Sequence, residues 1–371
     1  MKRIFALLLI LALVLVPMVA CTKPETEPAA TEESKPVTEP AETTEGEPEP
    51  ERAEEIVKLG LGVRSSIARS RGASEGKGAM AQADTTIAAV GFDAEGIIRA
   101  VSIDVAQTQV AFNEDGSLAD GAEAEIRSKK ELKDDYAMKG ASGIGKEWYE
   151  QMEALENWMI GKTVDEVMAL PTVERDAGHK HVPDDPDLNS SVTITVEDYQ
   201  QAVKEAWDQA QDAPGTLKVG LGVVTGTNSS KPAADDKGAF AQINTTAAAV
   251  ALDGEGKIVK SIVDVVQDKV QYTPEGELPE NVNEEVQTKL DIGAEYGMAK
   301  VSQIGKEWFE QIAAFTEWMV GKTIEEVNGL PVKERDAGHK HVPDDPDLTS
   351  SVTITVEDYQ QAVTKAAQAA K

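Results

Sequence analysis

Asp-Leu-Asn-Ser-Ser-Val-Thr-Ile-Thr, residues 187–195, returns at residues 347–355 as Asp-Leu-Thr-Ser-Ser-Val-Thr-Ile-Thr. In each copy an acidic, proline-containing loop runs into this short segment, and an Ala/Val-rich helical pattern follows. The stretch therefore predicts a short strand, a helix cap at Thr195 or Thr355, and a helix.

Thr193 and Thr353 lie two residues before these caps. The first N–H groups of a helix are free and its dipole is positive there, so a phosphate on either hydroxyl would face favourable donors. The same residues also fit an ordinary β-branched position of a strand such as Val192–Val196. The pattern alone leaves both interpretations open.

From about Val57 onward the chain is one unit written twice, and matching residues such as Gly60 and Gly220, or Asp187 and Asp347, are always 160 positions apart. A period this long indicates a duplicated domain and not a solenoid. The sequence predicts a first repeat at 56–207, a linker at 208–216 and a second repeat at 217–371. Because the linker is short, the two repeats are expected to sit in a restricted relation.

Each repeat is predicted to contain a Gly-rich strand, a hairpin, a third short strand, a Trp-bearing helix, a capped short helix and a last helix. In the first repeat these are Leu59–Val63, Thr85–Phe92 with Ile97–Val105, Val110–Phe112, a helix from Trp148 to Gly161, a box of Thr163 with Glu166, and Val196–Ala206; the second has Leu217–Val224, Thr245–Leu252 with Lys257–Val265, Val270–Tyr272, Thr323 with Glu326, and Val356–Ala369. In the Trp-bearing helix, one apolar face is predicted to hold Trp148, Met152, Leu155, Trp158 and Met159. Without a regular βαβ rhythm, this order predicts an α+β fold: two copies of a small mixed sheet packed with helices.

Residues 1–20 are predicted to be a signal peptide. Lys2–Arg3 supply its charged start, Ile4–Val16 its apolar run, and Met18–Cys21 resembles the lipobox of bacterial lipoproteins. That resemblance implies that Cys21, the single cysteine of the chain, is acylated and becomes the new N-terminus. Ordinary secretion with cleavage just before the cysteine is the alternative.

Residues 21–55 are rich in Pro, Glu and Thr and contain almost no large apolar side chain. Such a segment cannot bury a core and is predicted to be a disordered, self-repelling tether. Together with a lipidated Cys21, it predicts a protein anchored to the cell membrane on its extracytoplasmic face, in a manner suited to a Gram-positive wall.

The formal net charge is −30 over 371 residues. Nucleic acid and anionic lipid surfaces both require a basic footprint, so neither is an expected electrostatic partner. The sequence also lacks a P-loop, a Gly-x-Ser-x-Gly elbow and a catalytic cysteine with its base. The sequence therefore shows no catalytic constellation, and a stand-alone enzyme is not expected.

A turn-flanked strand at Asp253–Val259, a Trp-containing helix and then Asp-x-x-Ser-x-x-Thr-Ile-Thr before an Ala/Val-rich helix occur in this order. The order resembles the FMN-binding domain of bacterial extracytoplasmic electron-transfer proteins, including lipoproteins with two such domains. In that family a flavin transferase joins FMN through its phosphate to the Thr of Asp-x-x-Ser-Gly-Ala-Thr. The matching residues here are Asp187, Ser190 and Thr193, and in the second repeat Asp347, Ser350 and Thr353.

The sequence departs from the family motif at two positions, where Ser191 and Val192 replace Gly and Ala, as do Ser351 and Val352. Glycine permits a positive φ that serine adopts rarely, and valine is bulkier than alanine. Covalent FMN, loosely bound FMN and loss of the flavin are all compatible with this motif.

Flavin rings stack on aromatic and sulfur side chains. Tyr136 and Met138, with Tyr296 and Met298 in the second repeat, lie in a loop and off the apolar helix stripe, so they are the candidate ring contacts. The resemblance implies an electron carrier between a membrane donor and an external acceptor, with a flavin transferase and membrane redox proteins as partners. The alternative is a surface or ligand-binding module that kept the fold without the flavin.

All four histidines lie in two Gly-His-Lys-His loops, at His179 and His181 and at His339 and His341. Histidines two apart in an extended segment point to one side, and imidazole with the nearby aspartates can bind zinc. No third ligand follows at a spacing typical of metal sites, so these four histidines are weak metal candidates. The alternative is that each pair lies in an ordinary solvated loop.

Overall fold

The computed structural model describes residues 55–119, 126–234, 236–278 and 285–371. The chain divides into two units, Met1–Glu51 and Arg52–Lys371, and every described residue belongs to the second. The predicted signal peptide, Cys21 and nearly all of the tether lie outside the described residues. Within the described ranges, no helix is long and apolar enough to cross a membrane.

The described residues form an α+β structure with antiparallel sheets, which confirms the predicted fold class. In the first repeat the strands are β1 Ile56–Ser66, β2 Met80–Phe92, β3 Ile98–Ala111, β4 Thr172–Val173, β5 Val182–Pro183 and β6 Gln211–Thr216, and the helices are α1 Lys129–Leu132, α2 Trp148–Met159, α3 Val164–Met168 and α4 Glu197–Asp208. In the second they are β7 Lys218–Gly226, β8 Phe240–Leu252, β9 Ile258–Gln271, β10 Glu285–Val286, β11 Val332–Lys333 and β12 Val342–Pro343, with α5 Lys289–Ile292, α6 Trp308–Trp318, α7 Ile324–Asn328 and α8 Glu357–Ala369.

One core of each repeat lies between its three long strands and its helices. In the first repeat, side chains from alternate positions of β2 and β3 pack against the predicted apolar face of α2 and the buried face of α4. Trp148, Met152, Leu155 and Met159 are all buried, as their spacing predicts, while Trp158 is partly buried at the edge of the same core. The boxes at Thr163 and Thr323 are also present and start α3 and α7.

The Gly-x-Gly of the first strand brings α4 directly onto the sheet. A Cβ atom at Gly60 would lie 1.9 Å from the Ala206 carbonyl oxygen, and one at Gly62 would lie 1.9 Å from that of Ala202. Only glycine leaves room for this approach. The second repeat repeats it with Gly220 on Ala366 and Gly222 on Ala362.

The opposite sheet faces of the two repeats pack on each other. Two buried clusters draw residues from both repeats, and small side chains such as Ala83, Ala89, Ala241 and Ala249 are prominent in them. Backbone bonds add to this contact: β10 of the second repeat pairs with the end of β1. The Ala73 N–H donates to the Gly276 carbonyl and the Ala233 N–H to the Gly116 carbonyl, at 2.8 and 2.9 Å.

Several predicted strands are corrected. Val110–Phe112 and Val270–Tyr272 are not separate strands, because β3 runs unbroken from Ile98 to Ala111 and β9 from Ile258 to Gln271. Val192–Val196 is not a strand either. The Leu188 carbonyl accepts from both Ser191 and Val192, so the chain turns at this point.

The predicted cap is also wrong, since Val196 and not Thr195 precedes the first residue of α4. Val192 and Val196 are both buried in the core. Because Val196 packs there, the helix begins one residue later than predicted. In the region predicted to be a linker, residues 211–216 form β6, which pairs with the free edge of β1. Gly215, with φ +83°, lies in this edge strand.

Candidate functional site

Thr193 is held in place by a buried glutamine of α2. Its backbone N–H and its hydroxyl both donate to the Gln151 Oε1 atom, at 2.8 and 3.3 Å. The second repeat has the same pair, with Thr353 and Gln311 at 2.8 and 3.2 Å. The Thr193 side chain is half-buried, while Gln151 is 1% exposed. In both repeats a buried glutamine therefore fixes the position of the half-buried motif threonine.

The same glutamine reaches the loop that carries the ring candidates. Gln151 Nε2 donates to the Ser142 Oγ at 3.1 Å and to the Lys146 carbonyl at 3.3 Å. Gln311 makes the equivalent bonds to Ser302 and Lys306. One amide side chain thus joins the motif to the loop between α1 and α2, which are distant in sequence.

The loop itself is anchored by a buried carboxylate. Glu147 accepts from the backbone N–H groups of Met138 and Lys139, at 2.8 and 3.0 Å. Tyr136 and Met138 are half-buried and pack against the edge of the core. The structure thus places the two predicted ring contacts on the loop that Gln151 ties to Thr193. The second repeat has the same arrangement at Tyr296 and Met298.

A lysine lies against this loop, and the sequence analysis missed it. The Lys129 ammonium is 4.9 Å from the centroid of the Tyr136 ring and 5.5 Å from that of Trp148. In the second repeat, Lys289 is 5.0 and 5.1 Å from the matching rings. Such contacts are favourable cation–π interactions and place a cation beside each ring candidate. Nothing in the local sequence marks these lysines, because the rings come from other elements.

An arginine beside the motif was missed as well. Arg175 Nη1 donates to the Thr193 carbonyl oxygen at 2.8 Å, and Arg335 makes the same bond to Thr353. Arginine is a preferred partner of phosphate because its guanidinium offers several donors in one plane. The signal was present in the sequence: both arginines belong to the Glu-Arg-Asp-Ala-Gly-His-Lys-His segment that the repeats share without change.

Asp187 and Ser190, the other two candidate residues of this motif, both have exposed side chains. The turn is instead held by Asp185, whose carboxylate accepts from the Asp187 N–H at 2.9 Å, and by the Leu188 carbonyl. Asp347 and Ser350 are exposed in the same way.

The two departures from the family motif fit the backbone. Among the described non-glycine residues, only Lys133 and Ala137 have a positive φ, so Ser191 and Ser351 need no left-handed conformation. Val192 and Val352 point into the core and are 1% and 0% exposed. Val192 and Val352 therefore fill the core below the turn, while the Thr193 side chain is only half-buried, so these residues are compatible with a phosphate-linked group at that hydroxyl.

The hydroxyls of Thr195 and Thr355, once expected to cap the helices, are buried without a hydrogen-bond partner among the described residues. A buried hydroxyl left unpaired costs roughly 1–3 kcal/mol. Both repeats keep this feature next to the motif.

The histidines of each loop turn to different carboxylates. His179 Nδ1 lies 2.7 Å from the Asp176 carboxylate, while His181 Nε2 lies 3.1 Å from that of Glu197. The hydrogen bond from His179 lowers the pKa of Asp176 to about 2. In the described part of the chain, no three His, Cys, Asp or Glu side chains come together as metal ligands. His339 pairs with Asp336 as His179 does with Asp176, whereas His341 contacts Glu357 through Nδ1, at 2.8 Å.

Comparison with known proteins gives one partial relative. Over 136 residues the chain is 32% identical to a protein named chlorophenol reductase from Desulfitobacterium hafniense, a match that covers 34% of this chain and 41% of that protein. The chain thus spans less than half the length of this relative. No protein-family model matches the chain, and no solved structure matches it.

Proposed function

We propose that the chain is a lipid-anchored extracytoplasmic protein with two FMN-binding domains, which carries electrons between a membrane donor and an external acceptor. The observation that carries the proposal is the contact of Thr193 with Gln151, repeated by Thr353 with Gln311. In each repeat a threonine hydroxyl of the family motif stands at the surface and is tied to a loop with a tyrosine and a methionine.

The contacts of Thr193 are compatible with a phosphoester. Esterification removes the hydroxyl proton and with it the longer bond to Gln151, at 3.3 Å. The shorter bond from the backbone N–H, at 2.8 Å, does not involve the reacting atom and would still hold the residue. Arg175, bonded to the Thr193 carbonyl, places a cation beside the site.

In this proposal the flavin supplies the redox chemistry, and the protein supplies attachment and orientation. Tyr136 and Met138 offer an aromatic and a thioether surface to the ring, and Lys129 offers a positive charge next to it. The name of the partial relative denotes a reductase. That name supports a redox setting and carries no substrate over to this chain.

The test is to produce the full chain together with a flavin transferase and to measure intact mass and flavin absorbance. Two FMN groups per chain are expected, one lost in T193A, one in T353A and both in the double variant. T195V and T355V are matched controls, because they change neighbouring threonines whose hydroxyls have no partner in the described ranges of the chain. A colourless wild-type chain with no added FMN mass would overturn the proposal and favour a surface or ligand-binding module without flavin.

A further inference from the structure

The two repeats carry the same hydrogen-bond network under their ring candidates. The Tyr136 hydroxyl donates to Gln107 Oε1 at 3.3 Å, and Gln107 Nε2 donates to Asp84 Oδ1 at 2.7 Å. In the second repeat the Tyr296 hydroxyl donates to Gln267 at 3.3 Å, and Gln267 donates to Asn244 at 3.0 Å. The networks match group by group until their last member, which is a carboxylate in the first repeat and an amide in the second.

The sheet fixes the position of this difference. Asp84 and Gln107 are direct cross-strand partners of β2 and β3, and Asn244 and Gln267 are partners of β8 and β9. A second glutamine in each repeat supports the last member: Gln82 Nε2 donates to Asp84 at 3.0–3.1 Å, as Gln242 does to Asn244 at 2.8 Å. The two repeats therefore differ in charge at this one position, while the hydrogen bonds around it are the same.

A second difference adds to the first. Lys269 of β9 stands where the first repeat has Gln109, and its ammonium lies 3.4 Å from Gln267 Oε1. Lys269 is exposed, so solvent screens much of its charge. Gln109 is neutral and bonds to Gln82 instead. The first repeat does place Arg69 3.7 Å from Asp84, but that side chain is 71% exposed, so solvent screens its charge.

We propose that the two sites are electrostatically unequal, so that the flavin of the second repeat has the higher reduction potential and receives electrons from that of the first. The inference rests on the proposed function. Were FMN bound at both sites, two electrons and the accompanying protons would pass from the first site to the second, and the exchange would consume no other reactant.

The physical reason is the sign of the neighbouring charge. A flavin that accepts electrons gains negative charge, and a fixed carboxylate nearby raises the free energy of that state, whereas a nearby ammonium lowers it. Lys129 and Lys289 occupy matching positions, and burial lowers the pKa of Lys289 to about 8, so below that pH both sites carry an ammonium. Asp84 against Asn244 is the main difference and favours the reduced flavin in the second repeat, and the exposed Lys269 adds a smaller effect of the same sign.

The experiment uses chains that carry one flavin each. T353A retains the first-repeat flavin and T193A the second, and each potential is measured by a redox titration followed by flavin absorbance. The expected result is an exchange equilibrium that favours reduction in the second repeat by at least tenfold, which for a two-electron couple corresponds to about 30 mV.

Reciprocal substitutions then test the cause. D84N in the T353A chain is expected to raise the first potential, while N244D in the T193A chain lowers the second. Each installs the residue that the other repeat already carries on the same scaffold, so folding is expected to be retained. E95Q is the matched control, because it removes a carboxylate at the exposed turn on the far end of the same hairpin.

The outcomes separate this inference from the proposed function. If wild-type chains bind FMN but the two potentials coincide, or if D84N and N244D leave them unmoved, the inference is overturned and the proposed function stands. If wild-type chains bind no FMN, both are overturned. A shift with E95Q as large as that with D84N would also defeat the assignment to Asp84.

Discussion

Ser65 of the first repeat donates its hydroxyl to the Asp268 carboxylate of the second, with Oγ 2.9 Å from Oδ1 and 3.1 Å from Oδ2. Both residues are buried, at 3% and 1% exposure. The matching position of the first repeat is Thr108, whose hydroxyl has no partner among the described residues. The contact is therefore one-sided, and it puts a carboxyl group inside the surface where the two repeats meet.

This carboxyl predicts a pH dependence of stability. Burial raises the pKa of Asp268 to about 7, and the nearby Asp84 adds to the shift while the Ser65 hydrogen bond opposes it. The folded state then binds this proton more tightly than the unfolded chain, whose aspartate has the ordinary value of 3.8. The stabilising contribution is full below the ordinary value, declines as pH rises towards 7 and is lost above it.

Between these two pKa values, one such proton makes the free energy of unfolding fall by about 1.4 kcal/mol for each pH unit. D268N is expected to remove this contribution to the pH dependence. The measurement is the free energy of unfolding by denaturant at several pH values between 4.5 and 7.5. A residual slope is expected, because burial also raises the pKa of Asp264 to about 7. An identical slope in D268N and wild type would contradict the prediction.

The glycines of β1 give a second prediction, on packing. In G62A the new Cβ would lie 1.9 Å from the Ala202 carbonyl oxygen, a backbone atom that cannot move without shifting α4. We expect a loss of about 3 kcal/mol or more, at the upper end of the cost of overpacking. Thermal unfolding of the full chain provides the measurement.

G140A is the control for this change. Nothing lies within 4 Å of a Cβ at Gly140, whose φ is not positive. Its melting temperature is therefore expected to remain close to that of the wild type. If G62A is as stable as G140A, the close packing of α4 on β1 is wrong.

The sequence predicts the fold well where the signal comes from residues that are close together in the chain. The capping box of Thr163 with Glu166, and the spacing of Trp148, Met152 and Leu155, depend on neighbours within one helix, and both are confirmed. Such signals require no knowledge of the rest of the chain.

The features that sequence reasoning missed depend on contacts between distant residues. Gln151 bonds to Thr193 across 42 positions, and Ser65 to Asp268 across 203. Thr195 looks like a cap by residue type, but the burial of Val196 moves the start of the helix. Tertiary packing overrides local preference at these positions, and a single sequence does not display it.

The lipid anchor gives a third prediction, based on sequence alone. C21S removes the thiol that acylation requires, so the chain is expected to leave the membrane fraction and to incorporate no labelled fatty acid. Fractionation and lipid labelling in a bacterial host that processes lipoproteins would measure this. Wild-type chain in the same host is the control, and equal membrane association of C21S would contradict the lipid anchor.

The last prediction concerns Gln151 as a positioning residue for Thr193. In Q151L the Thr193 N–H and hydroxyl lose their common acceptor, and the loop bonds to Ser142 and Lys146 are lost. An unpaired buried donor costs roughly 1–3 kcal/mol, so the turn should become mobile while the core stays filled by an apolar side chain of similar size.

The two repeats make this test internally controlled. Peptide mapping of flavin-loaded chains should show that Q151L lowers FMN attachment at Thr193 and leaves Thr353 unchanged, whereas Q311L does the reverse. General misfolding would lower both attachments together, because the two repeats share buried clusters. If Q151L chains remain folded and attach FMN at Thr193 as fully as the wild type, Gln151 does not position that threonine.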